Sequence, residues 1–154
     1  VVSPHNPHKE KESLLDQHHR LQIIKSEIED DTKLEVSDIE FYMPKPSYTI
    51  DTLVRLEEKY PDMEFSIIMG SDNLKFFHKW KNHEQILEHF SIYVYPRFNY
   101  DVNLSHKNIN IIKGVPKVEV SASFIRKSLK EGKKVSYLMP EKAWKYIDEM
   151  NFYK

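Results

Sequence analysis

Cysteine is absent from this 154-residue sequence, and glycine occurs only three times. The first absence removes disulfides, thiolate nucleophiles and Cys-based zinc sites together, and it suits a reducing compartment, the cytoplasm. The second means that glycine is spent where backbone geometry or close approach demands it, which singles out Gly70 at the end of an apolar run. No stretch approaches the ~18 consecutive apolar residues of a membrane span. A surplus of one charge is missing too. The 23 basic and 24 acidic residues leave a net charge of −1, so no global field favours nucleic acid or an anionic membrane. Any anion site must be local.

Several catalytic signatures are also missing. There is no Gly-x-Ser-x-Gly elbow, no Walker A loop and no Gly-rich dinucleotide fingerprint. The eight histidines invite a metal reading. In "HEQILEH", however, the position four beyond His83 is Leu87, so the zincin spacing fails, and Gln85 stands where the reversed motif needs its first histidine. His18 and His19 are adjacent and point to different faces of a helix. No protein-built metal site is expected.

What is present is the composition of an ordinary globular protein, 40% hydrophobic and 31% charged. The length fits a single domain over 1–154. Leu14, Leu21, Ile24 and Ile28 predict an amphipathic helix over about residues 12–29. "KLEVSDIEF" reads as extended. Ile50, Leu53, Val54 and Leu56 predict a helix capped by Ser47 or Thr49 and ended by "YPD". "EFSIIMG" and "SIYVYP" read as buried-type strands, with "SDNLKFFHKW" and "HEQILEHF" as two short helices between them. Residues 97–108 read as loop, "INIIKG" and "KVEV" as strands, "SASFIRKSLKEG" as a helix, and "PEKAWKYIDEM" as a last helix with proline in its first turn. Alternating strands and helices imply an α/β, Rossmann-like layered fold with a mainly parallel sheet. The opening "VV" reads as a strand entered halfway, so a preceding βα unit is expected to be missing.

Ligands of open α/β sheets sit beyond the carboxyl ends of the strands. The expected exits are "VV|SPHNPHK", "SIIM|GSDN", "YVY|PR" and "VEV|SASFIR". At the last, Ser121 and Ser123 fall at a helix start with Arg126 on the same face as Ser123, a group suited to a phosphate. The same pattern fits an ordinary serine N-cap followed by a solvated arginine. In "GSDN", Gly70 permits close backbone approach and Asp72 can accept from ribose hydroxyls, or Ser71 or Asp72 simply caps a helix. Trp80 either stacks on a planar ring or packs against a neighbouring helix.

Taken in order, "SPHNPHK", "KPSYTIDTL", "FSIIMGSDNLKFFHKWKNHEQIL", "IYVYPR" and "VSASFIRKSL" resemble the bacterial nicotinate-nucleotide adenylyltransferase family over nearly the whole chain. "PSYTIDTL" and the G-x-D…W-K block carry most of the specificity. "SxSxxR" is similar to the S-x-T-x-x-R signature shared more widely among Rossmann-like nucleotidyltransferases, with Ser123 in place of the usual threonine.

The resemblance implies transfer of the adenylyl group of ATP to nicotinate mononucleotide, with Mg²⁺, giving the deamido dinucleotide and pyrophosphate. It implies ATP contacts from Ser121, Ser123 and Arg126 on the phosphates, and from Gly70 and Asp72 at the adenosine. It implies His8 and Lys9, with Arg126, as catalytic groups, and Ser3, Tyr48, Thr49, Trp80, Lys81 and Arg97 around the pyridine nucleotide. The partners are then the two substrates, with no nucleic acid, no membrane, and a homo-oligomer left open. The family's G-x-F-x-P-x-H-x-G-H motif is not found, so this chain alone is expected to show little turnover. Three readings stand beside this one. A nicotinamide-preferring sister enzyme is not separated by sequence, a pantetheine-phosphate enzyme is argued against by "PSYT" and "HKWK", and a non-catalytic nucleotide-binding module lies in another class.

Overall fold

The structure is a computed structural model that describes residues 1–4, 14–98, 100 and 104–153. The chain divides into two compact units, one of Val1–Pro46 with Val120–Lys154 and the other Ser47–Glu119.

The Ser47–Glu119 unit is built on a three-stranded parallel sheet in the order β1-β2-β3, with β1 at Ser66–Gly70, β2 at Ser91–Tyr95 and β3 at Ile109–Ile111. The β1–β2 register pairs Ser66 with Ser91 and Gly70 with Tyr95, so both strands end at one level. Helix α2 (Thr49–Lys59) buries Ile50, Leu53 and Leu56 at helical spacing, while Val54 on its other side is exposed. Ile50 and Leu53 join Met69, Leu74, Phe77, Ile86, Phe90, Ile92 and Val94 in a core on one face of the sheet.

Only that face is buried. Ile92 and Val94 are fully enclosed, but Ile68 is 77% exposed and its register partner Tyr93 is 41% exposed. The buried-type reading of these strands is therefore corrected. An unbroken apolar run does not distinguish a strand covered on both faces from one covered on a single face, and here the alternation of burial reveals the latter. The segment after β1 also differs from a continuous helix. It breaks into α3 (Ser71–Leu74) and a 3₁₀ turn at Phe77–Lys79, before α4 (His83–His89) begins from Asn82 in the left-handed region.

The other unit contains α1 (Gln17–Ile28), α5 (Ala122–Lys130) and α6 (Glu141–Glu149). Helix α1 starts later than the apolar spacing suggests because the Asp16 carboxylate accepts from the His18 N–H at 2.8 Å, closing the first turn there. Helix α5 ends in a Schellman arrangement. Gly132, at φ +70°, donates to the Leu129 carbonyl, and Lys133 donates to Ser128. Pro140 is the N-cap of α6 rather than a residue of its first turn. Glu27 of α1 reaches across to accept from the Ala143 N–H at 3.0 Å, and Lys142 meets Glu29 and Asp30 at 2.7 Å each. Leu129, Val135 and Ile147 form this unit's core, with Ile23, Trp144 and Phe152 packed on it.

Three expected strands are corrected. Val1 and Val2 lie outside any strand, although the Val2 N–H donates to the Ser37 carbonyl at 2.9 Å. "KLEVSDIEF" closes into a 3₁₀ turn at Ile39–Tyr42 through Phe41-to-Asp38 and Met43-to-Glu40 bonds. "KVEV" carries no ladder bonds among the described residues, and Val118 is exposed.

Candidate active site

The end of β1 and the residue after next of β2's exit converge on one small arrangement. Gly70 is the last residue of β1 and the N-cap of α3. Asp72 lies in the first turn of α3, and its Oδ1 faces Arg97 Nε at 3.3 Å. That oxygen is buried and has no hydrogen-bond partner among the described residues, so the pair is held by charge rather than by an aligned bond. Both side chains keep partial access to water, which limits what the contact contributes to stability. Ser71, 1% exposed, turns its hydroxyl away from the helix start and accepts from the Arg97 backbone N–H at 2.9 Å. The sequence pattern offers Ser71 or Asp72 as caps of α3, but neither acts so.

A second cluster of the same unit stands at the start of α2. Tyr48 is the N-cap, Thr49 the first helical residue, and the Tyr48 carbonyl accepts from the Thr52 N–H and hydroxyl. Lys81 Nζ sits 4.8 Å from the centre of the Tyr48 ring and binds both Asp51 carboxylate oxygens at 3.1 and 2.9 Å. Trp80 lies 5.4 Å from Phe77, centroid to centroid, and packs on the core. It is half-buried, so packing accounts for one side of the ring and leaves the rest accessible.

In the other unit, Ser121 is the N-cap of α5, and its hydroxyl accepts from the Phe124 N–H at 3.1 Å. The capping alternative is thus realised for Ser121. Ser123 and Arg126 share one helix face as expected, with Arg126 Nη2 donating to Ser123 Oγ at 3.2 Å. Arg126 Nε is buried and has no hydrogen-bond partner among the described residues, an arrangement that leaves a donor of the guanidinium for an acceptor not supplied by the helix. Ser3 also belongs to this unit, and its carbonyl accepts from Arg20 at 2.7 Å. His8 and Lys9 lie outside the described residues.

The sequence matches a cytidylyltransferase-like family model over residues 1–128. It is 56% identical over 158 residues to a probable nicotinate-nucleotide adenylyltransferase of Flavobacterium johnsoniae, a match that covers all of this chain and 81% of that protein. A probable enzyme of the same name from Christiangramia forsetii is 53% identical, with the same coverage. This chain belongs to the nicotinate-nucleotide adenylyltransferase family.

The fold agrees. A Plasmodium falciparum nicotinic acid mononucleotide adenylyltransferase, solved in complex with NaAD, superposes with a TM-score of 0.78 at 20% identity, over 98% of this chain and 79% of that one. The same Plasmodium enzyme in complex with APC gives 0.74 at 22% identity, over 92% and 77%.

The structure also shows contacts around these residues that the sequence pattern does not give. Asp51 fixes Lys81, and Ser71 fixes the backbone of Arg97. Arg20 and Tyr153 are a third addition. Burial pushes the Tyr153 phenol above its ordinary value, opposed by the Arg126 charge, a backbone hydrogen bond with Leu15, and the Arg20 charge. No local motif announces these residues, because each acts on a partner remote in sequence.

Proposed function

We infer that the chain transfers the adenylyl group of ATP to nicotinate mononucleotide, forming the deamido dinucleotide and pyrophosphate in NAD biosynthesis. The observation that carries this reading is identity above half with nicotinate-nucleotide adenylyltransferases across the full length of the chain. A phosphate oxygen of the mononucleotide attacks the α-phosphorus of ATP, the bond from that phosphorus to the bridging oxygen breaks, and the electron pair leaves with pyrophosphate. No covalent enzyme intermediate is needed, so the protein's task is alignment of two anions and neutralisation of charge in the transition state.

The residues suit that division of labour. In our reading Arg126, whose Nε has no partner among the described residues, and the hydroxyls of Ser121 and Ser123 take ATP phosphates, and Asp72 takes the ribose hydroxyls. Tyr48, Thr49, Trp80 and Lys81 take the pyridine nucleotide, with Ser3 and Arg97 close to it. His8 and Lys9 add positive charge at the phosphates. Among the described residues no group of three or more His, Asp or Glu is arranged to hold a metal ion. We therefore assign Mg²⁺ to the ATP triphosphate, since this ion keeps several waters and binds chiefly through substrate phosphates. There it would neutralise charge on the leaving pyrophosphate. No helix of the described residues is long and apolar enough to cross a membrane, and we place the reaction in the cytoplasm.

The test is a substrate panel on the full-length protein, comparing nicotinate and nicotinamide mononucleotides with ATP and measuring pyrophosphate and dinucleotide together. Preference for the acid is expected. A preference of about tenfold or more for the amide, which corresponds to ~1.4 kcal/mol of discrimination, overturns the substrate assignment.

A further inference from the structure

Lys81 stands in a turn whose backbone is fixed around it. The Trp80 N–H donates to the Phe77 carbonyl at 2.9 Å, and the Trp80 carbonyl accepts from the His83 N–H at 3.2 Å. The Trp80 indole is seated on Phe77 and the core. These contacts leave one thing undetermined. It is the Lys81 ammonium, a point charge at the end of a flexible four-carbon stem.

Asp51, 30 residues earlier in the chain, supplies what is missing: both carboxylate oxygens accept from Lys81 Nζ, at 3.1 and 2.9 Å. Its own position is rigid. It lies in the first turn of α2, a helix anchored in the core by Ile50 and Leu53. The helix dipole favours a carboxylate there, which accounts for the residue type but not for its contact with Lys81. The same ammonium lies 4.8 Å from the centre of the Tyr48 ring, at the N-cap of that helix. The Lys81 and Asp51 side chains stay 43% and 41% exposed, so the charge is held without being sealed off. An exposed pair of this kind contributes little to folding. Its value lies in what else the ammonium can meet.

We propose that Asp51 is a positioning residue that sets the preference for the acid over the amide mononucleotide: by holding the Lys81 ammonium at the Tyr48 ring, it presents a fixed cation to the carboxylate of the nicotinate ring. This rests on the functional reading above. An anionic carboxylate is drawn to such a cation by charge as well as by hydrogen bonding, a neutral carboxamide by hydrogen bonding alone. An ammonium left to wander on its stem loses part of that advantage to the entropy of ordering it. Asp51 touches no substrate atom and acts only through Lys81.

The experiment compares the full-length protein with Asp51→Asn, Lys81→Gln and the double variant. Steady-state kinetics are measured with ATP and either mononucleotide. Thermal melting is read beside them, as is the rate at which an N-hydroxysuccinimide ester acylates Lys81, followed by peptide mass. In Asp51→Asn, KM for the acid is expected to rise about tenfold, while KM for the amide, KM for ATP and kcat change by less than about twofold. The melting temperature should move by no more than about 4 °C. Acylation of Lys81 should accelerate. The double variant should lose no more acid preference than Lys81→Gln alone, because the two residues act as one unit. Additive losses overturn the proposal, and so does an equal rise of KM for both mononucleotides. A fall in KM for the acid overturns it too, since Asp51 would then screen Lys81 rather than direct it. If the unsubstituted protein forms no dinucleotide from either mononucleotide, the functional reading itself fails. With that protein active, an unchanged acylation rate in Asp51→Asn overturns the present proposal alone.

Discussion

The Asp72 carboxylate and the Arg97 guanidinium meet over Gly70, 3.3 Å apart, in the space a side chain at residue 70 would occupy. A Cβ built on Gly70 falls on Asp72 Oδ1 and lies 2.9 Å from Arg97 Nε. The backbone there, at φ −75° and ψ 153°, is extended and open to any residue. A side chain at residue 70 would meet side-chain atoms only, so room and not conformation is the constraint there. Gly70→Ala displaces the partly exposed ends of Asp72 and Arg97, at a cost of less than about 1 kcal/mol in stability. We expect KM for ATP to rise about tenfold, measured by steady-state kinetics beside a denaturant melt. An unchanged KM for ATP would show that the placement of Asp72 does not matter to the nucleotide.

We propose two roles for Trp80, packing on Phe77 and contact with the pyridine nucleotide, that substitution can separate. Trp80→Phe keeps an aromatic ring against Phe77 and should change stability by less than about 1.5 kcal/mol. Its smaller face should still raise KM for nicotinate mononucleotide several-fold. Trp80→Ala should raise that KM further and also cost about 2 kcal/mol, since the ring is only half-buried. If Trp80→Phe leaves KM unchanged and Trp80→Ala loses stability alone, the ring is a packing element only.

Arg126 donates to Ser123 through Nη2, and its Nε has no hydrogen-bond partner among the described residues. Arg126→Ala is expected to lower kcat by about 10²–10³, the usual loss when one preorganised donor to a developing charge is removed. Arg126→Lys should recover little, because a point charge cannot reproduce the fork. Ser123→Ala should cost far less than Arg126→Ala. Equal losses in the two would instead assign the serine hydroxyl a direct role.

Tyr153 supplies a pH dependence whose sign is fixed by burial. Its folded pKa lies above the ordinary value of 10.0, first because burial disfavours the phenolate. The unfolded chain thus releases this proton at lower pH than the folded one. The stabilisation is fully present below pH 10 and is lost as pH rises through the folded pKa. Urea melts between pH 8 and about pH 11 should show a decline at the alkaline end. Tyr153→Phe should flatten that decline, and an identical slope in the variant would remove Tyr153 from the account.

Some helix ends were legible in the sequence because capping is local, while the caps of α2 and α3 were not, since Tyr48 and Gly70 hold those places without a side-chain hydrogen bond. Ser121 before α5, Gly132 after it and the break at Tyr60 all act within one turn of themselves. The parallel strands were legible from apolar runs, but the 77% exposure of Ile68 was not, since coverage of a sheet face depends on elements far along the chain. Asp72 and Gly70 stood out by type and position, yet their dependence on Arg97 required the β1–β2 register. Arg20 escaped notice for another reason. Its partners are carbonyls, which every residue possesses, so no side-chain pattern betrays them.

The buried hydroxyl of Ser71 has a mechanical consequence. By accepting the Arg97 N–H it stitches the polypeptide leaving β2 to the helix leaving β1. A pull on Asp72 is then passed to the neighbouring strand's exit through two adjoining attachments, one ionic at the side chain and one a hydrogen bond at the backbone. The two exits are tied at two adjoining points, so a spectroscopic label at Phe98, one residue beyond Arg97, is expected to report a disturbance made at Asp72.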